Sequence, residues 1–161
     1  MSRPSRQSER DETPTERADR NLSELLQELR VALPGVQVLF AFLLIVPFNN
    51  RFAEVNAFQE KVYFATLLCT TFAAALLLAP SMNHRIEFRQ GDKDHLVKVS
   101  SKLTIAGLTL LAIAMIGVIV LITDFVFGWI ATAAASVSVA LAFAWLWYLM
   151  PLRRLRAIGR S

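Results

Sequence analysis

What this chain is short of narrows the field before any motif is sought. It has one cysteine, Cys69, so no disulfide can form within it, and the residue sits in an apolar run where a small packing role fits. No CxxC pair, GxSxG elbow or glycine-rich phosphate cradle occurs among its 6 glycines. Charged residues make up only 19% of the chain, and no Asp, Glu, Lys, Arg or His falls at the middle of an apolar run. Ion-coupled carriers, proton relays and voltage sensors commonly place such groups there, which weighs against active transport. The 2 histidines, His84 and His95, flank a Gly91-Asp92 turn with Glu87 and Asp94 nearby. Their separation matches none of the compact zinc spacings, so neither a metal nor another cofactor is expected.

What is abundant is apolar. Hydrophobic residues form 55% of 161, with a mean hydropathy of +0.45, more than a water-soluble core of this length requires. They gather into runs at about 34–52, 62–80, 103–123 and 126–149, separated by short segments that hold nearly all the charge. A bilayer selects this pattern, because a chain in lipid must satisfy its backbone within its own helices. The expected fold is all-α: an integral membrane four-helix transmembrane bundle with an N-terminal amphipathic helix. The first run is short, since its 15 residues from Pro34 to Phe48 reach about 22 Å against a hydrocarbon core of about 30 Å. Arg51 can snorkel outward to extend it. The second run is expected to stop sharply at Pro80, and Asp124 with Phe125 to divide the third from the fourth.

Residues 1–20 carry five arginines and five acidic residues with almost nothing apolar, and are expected to be a disordered cytoplasmic arm. They hold no apolar stretch of the kind a cleaved signal peptide needs, so insertion through the first span is expected. From Asn21 the pattern changes. Leu22, Leu25, Leu26, Leu29 and Leu33 recur at spacings of three and four, which predicts an amphipathic helix over 21–33 resting in the lipid headgroup layer. Asn21 or Ser23 would cap it, and Pro34 with Gly35 would end or kink it.

Net charge is +4 with a pI near 9.7, a balance that could suit nucleic acid. Placement favours the membrane instead: of 17 Lys and Arg, only Arg51 and Lys61 lie outside the N-terminal segment, the 81–102 loop and the tail. The positive-inside bias puts both termini and the central loop in the cytoplasm of a multi-pass plasma-membrane protein. Trp145, Trp147 and Tyr148 form an interface belt, followed by Arg153 and Arg154 in a basic tail over 151–161.

Gly128, Thr132, Ser136, Ala140 and Ala144 follow one another at intervals of four on the last span, so one helix face carries small side chains and another backbone can approach closely. The partner is either a helix of the same chain, which is the expectation, or a second copy. Gln37 and the span hydroxyls, among them Thr66, Thr70, Thr104 and Thr109, suit bonds to neighbouring helices or to their own backbone.

The strings ELLQELRVALPGVQVLFAFLLIVPFNNRF, LLLAPSMNHRIEFR and WLWYLMPLRR resemble a family of small bacterial membrane proteins, found largely in actinobacteria and known only as a domain of unknown function. The likeness covers about residues 21–156. It implies four helices in the plasma membrane and carries no activity, cofactor or catalytic residue. The functional expectation is a non-enzymatic membrane protein with a structural or interaction role, toward the lipid bilayer, a membrane-protein partner or a second copy. The alternatives are a small channel or transporter subunit lined by Gln37 and the hydroxyls and, more weakly, an enzyme using the central loop.

Overall fold

The structure, a computed structural model, describes residues 13–87 and 93–153. Among them every regular element is helical: α1 (Pro14–Ile45), α2 (Ala57–Glu87), α3 (Lys93–Phe127) and α4 (Trp129–Phe143). Two 3₁₀ turns, Val46–Phe48 and Asn50–Glu54, join α1 to α2, and a π-helical turn, Ala144–Leu149, extends α4. Stretches of all four helices, Asp19–Phe48, Ala57–Asn83, Leu96–Phe127 and Trp129–Arg153, are long and apolar enough to cross a membrane. Their outward surface fits lipid and not water, with Phe48 88%, Trp129 75% and Phe42 67% exposed.

Helix α1 begins earlier than expected. Thr13 caps it: its hydroxyl accepts from the Glu16 backbone N–H at 3.3 Å, while the Glu16 carboxylate accepts from the Thr13 N–H at 2.9 Å. Pro14 fills the first helical position, where no N–H is needed. The Thr13 hydroxyl also donates to the Glu16 carboxylate at 2.8 Å, and the two bonds that the carboxylate accepts from Thr13, the backbone one foremost, hold the Glu16 carboxyl below its ordinary pKa. Residues 14–20 of the expected disordered arm are therefore helical, and residues 1–12 lie outside the described residues. Ser23 does not cap a helix but donates to the Arg20 carbonyl at 2.8 Å from within one.

Nor does the chain break at Pro34. Leu22, Leu29, Val36 and Leu43, seven residues apart, are buried along one side of α1, and the seam passes Pro34 without losing register. A seven-residue repeat keeps one face turned to its neighbours when helices supercoil gently. Pro34 removes the bond that its N–H would make to the Arg30 carbonyl, but it faces outward and costs no packing. The expected lipid-interface residues change place accordingly. Leu22 and Leu29 are 5% and 3% exposed, and Leu29 clusters with Val36 and Leu77, with Leu25 and Leu26 half-buried against them.

Helix α2 buries Gln59, Tyr63, Thr66, Thr70, Ala73, Leu77 and Pro80, spaced alternately four and three apart. Pro80 belongs to this seam, and the helix runs past the expected stop to Glu87. Helices α2 and α3 share the most extensive interface, and α1 lies against both. Two glycines of α3 permit this closeness: a Cβ on Gly107 would stand 2.8 Å from Leu77 Cγ, and one on Gly117 would run into the Thr66 hydroxyl. The break between α3 and α4 falls at Gly128 and not at Asp124, because Gly128 has φ +81, where a side chain is strained. Among the described helices α4 rests on α3 alone.

Candidate functional site

At the end of the bundle where α1 finishes, α2 starts and α3 finishes, the helices border a partly open cavity of about 650 Å³. Its walls are apolar, from Leu39 and Leu43 of α1 to Val118, Leu121, Ile122 and Phe125 of α3. Four polar residues line it: Asn49, Arg51, Gln59 and Tyr63.

Local chemistry sets each of these. Pro47 has no N–H to offer the Leu43 carbonyl one turn earlier, which would leave that acceptor open at the close of α1. The Tyr63 hydroxyl donates to it at 2.9 Å, and the Tyr63 ring meets Phe52 edge-on with centroids 5.5 Å apart. Asn49 accepts from the Arg51 N–H at 3.0 Å and so starts the second 3₁₀ turn. Asn56 and Gln59 cap α2 reciprocally: the Asn56 side chain accepts from the Gln59 N–H at 2.9 Å, and the Gln59 Oε1 accepts from the Asn56 N–H at 3.1 Å. The Gln59 amide nitrogen then donates to Asp124 Oδ2 at 2.9 Å, pinning α2 to α3. Arg51 lies with its guanidinium carbon 4.8 Å above the Phe125 ring and its Nε 3.5 Å from Glu54 Oε2.

The threonine hydroxyls of the spans are occupied, whereas those of Ser100 on α3 and Ser136 on α4 are buried and, among the described residues, without a hydrogen-bond partner. Thr66, Thr70 and Thr104 each donate to the carbonyl four residues earlier in their own helix, and Thr132 to the Gly128 carbonyl at the start of α4, at 2.7 to 2.9 Å. Gln37 is different: it stands exposed on α1 and, among the described residues, forms no hydrogen bond.

The small-residue stripe is divided by the structure. Gly128 is the turn itself, with nothing within 4 Å of a built Cβ, so it is no packing position. Thr132 is buried and Ser136 and Ala140 are half-buried on α4, as is Ala144 at the start of the π turn, and among the described helices α4 packs on α3. Of the expected belt, Trp145, Trp147 and Tyr148 are all exposed on the π turn. Arg153 stacks on Trp145 with its guanidinium carbon 4.4 Å from the ring centroid, and the Tyr148 hydroxyl bonds to Thr109 of α3. Arg154 lies outside the described residues, as does the 88–92 part of the central loop; His84 stands in α2 and His95 in α3. Arg51, Gln59, Tyr63 and Asp124 did not emerge from the sequence as a group. Asn56-x-x-Gln59 and Pro47 were readable signals for two of them, whereas nothing local pairs Gln59 with Asp124.

Residues 11–151 match a family of unknown function (DUF6328). The chain belongs to that family. The matched region takes in α2, α3 and α4 entire, all of α1 and the π turn, so both the cavity and the exposed Gln37 are within the family's span. No curated protein and no solved structure matches the chain.

Proposed function

We propose that this DUF6328 member is a non-enzymatic, multi-pass protein of the plasma membrane that associates with a second copy of itself through the outward face of α1. Gln37 carries the reading. It is an exposed amide without a hydrogen-bond partner, lying well inside the Asp19–Phe48 stretch, where lipid offers it nothing. An amide both donates and accepts, so two copies related by a two-fold axis satisfy each other's Gln37 reciprocally. Pro34, Ala41 and Leu44, about one and two turns away on the same face, are exposed as well and leave room for an approaching helix. The distribution of Lys and Arg supports cytoplasmic termini. A channel reading receives less support, because the span threonines Thr66, Thr70 and Thr104 spend their hydroxyls on their own helices and Gln37 points away from the bundle interior.

Cross-linking tests the contact. In a Cys69→Ala background, Ala41→Cys should yield a disulfide-linked dimer in native membranes under mild oxidation. Adding Gln37→Leu should weaken association by about threefold, matching the ~0.6 kcal/mol average of an interhelical polar bond in lipid. Absence of the cross-link at every expression level, or a cross-link indifferent to Gln37→Leu, overturns the proposal.

A further inference from the structure

We propose that the cavity at the Arg51 end of the bundle is a lipid-binding site that takes one acyl chain of a phospholipid, with the lipid phosphate seated on the Arg51 guanidinium. This rests on the helices crossing a bilayer and is independent of the Gln37 contact. The cavity's 650 Å³ lies within the range of built small-molecule sites, and its walls, Leu39, Leu43, Val118, Leu121 and Ile122, present hydrocarbon. Water is a poor occupant of such a space, because each molecule needs two to four polar partners there. Two of the polar groups that reach it are already engaged: the Tyr63 hydroxyl on the Leu43 carbonyl, the Gln59 amide on Asp124. Lipid hydrocarbon is the apolar filling that surrounds the protein on this level.

Charge selects the headgroup. Arg51 stands three residues beyond Phe48, where the apolar run of α1 ends, and so lies where headgroups begin. Its guanidinium is held over Phe125, itself a wall of the cavity, with Glu54 Oε2 3.5 Å from the Nε, and the side chain stays largely exposed. A guanidinium presents a planar fork of N–H donors, which matches two phosphate oxygens better than any single-point cation would. Chain in the cavity and phosphate on the rim are thus one amphiphile, read from two adjoining features.

Native mass spectrometry of the full-length, delipidated protein in mild detergent tests this with three probes: oleoyl lysophosphatidic acid, monooleoylglycerol as its uncharged counterpart, and inorganic phosphate. The expected result is one saturable lysophosphatidic acid per chain, bound about tenfold more tightly than monooleoylglycerol, with no retention of inorganic phosphate. Arg51→Gln should bring the charged lipid down to the affinity of the neutral one. Leu39→Trp should fill the cavity and remove both, and Val118→Phe serves the same purpose if that variant does not fold. Equal affinity for the two lipids in the native protein overturns the role of Arg51. Binding untouched by cavity filling, or several non-saturating lipids per chain, overturns the site. None of these results alters the dimer test, which reads a different face.

Discussion

Gly117 carries no side chain because the Thr66 hydroxyl occupies the place where a Cβ would go. That hydroxyl donates to the Val62 carbonyl at 2.7 Å, so it cannot swing away without abandoning its acceptor. Gly117→Ala should therefore force α2 and α3 apart and cost about 1–3 kcal/mol, as overpacking does in a close-packed interior. Thr66→Ala removes the obstructing oxygen, and combined with Gly117→Ala it should restore part of the loss. Equilibrium unfolding of the two single variants and the double in detergent micelles checks this, and strictly additive losses would show that the two residues do not compete for space. Gly107 follows the same logic against Leu77, whose flexible side chain can yield more easily. Neither glycine declares its purpose in the sequence. A glycine in an apolar run reads the same whether a helix, a lipid or nothing lies opposite. The capping box Thr13-x-x-Glu16 is the converse case. Its four residues, with Pro14 at the first position, spell a helix start in plain sequence, although the charge around them points to disorder.

At the scale of elements, the end of α1 is made by a tertiary bond. Pro47 withdraws the donor that would have closed the last turn, and Tyr63, sixteen positions on and in another helix, supplies one at 2.9 Å. Tyr63→Phe should leave the Leu43 carbonyl buried and unsatisfied, at a cost of about 1–3 kcal/mol. Pro47→Ala restores an N–H at the position one turn on, and in the Tyr63→Phe background it should recover stability. Thermal unfolding of the set decides the matter: if Pro47→Ala fails to rescue, the two donors are not serving one acceptor. The N-terminal half of α1 teaches a related lesson. Its leucine stripe is legible from spacing alone, and so is its helicity. What covers the stripe is not, because lipid and neighbouring leucines are equally apolar, and an amphipathic pattern asks only for something other than water. The fold answers with Leu77 and its neighbours, and so Leu29 is covered by protein.

The molecule is a bundle in which α1, α2 and α3 are packed together and, among the described helices, α4 leans on α3 alone. Orientation is a property of this scale, since it follows from the balance of cations across all the connections. With Cys69→Ala as background, Glu54→Cys should react with a membrane-impermeant maleimide on intact cells, whereas Gly91→Cys should react only after the membrane is opened. Labelling of Gly91→Cys in intact cells would reverse the assignment of sides.

By itself the sequence determined the all-helical class, the number of apolar helices, their order and the asymmetry of charge at their ends. Each depends on hydropathy summed over some twenty residues or on counts of Lys and Arg, and such sums survive ignorance of what touches what. Only the tertiary structure decided where helices truly break. Pro34 and Pro80 are passed because the buried seams continue through them, while Gly128 is a break because its φ of +81 belongs to no helix. Only the tertiary structure, too, joined Arg51 to Phe125 and Gln59 to Asp124 around one cavity. Those partners are more than sixty residues apart in the chain, and although alternating spans put them at the same end of the bundle, no local pattern of residues encodes which side chains will meet across the helices there.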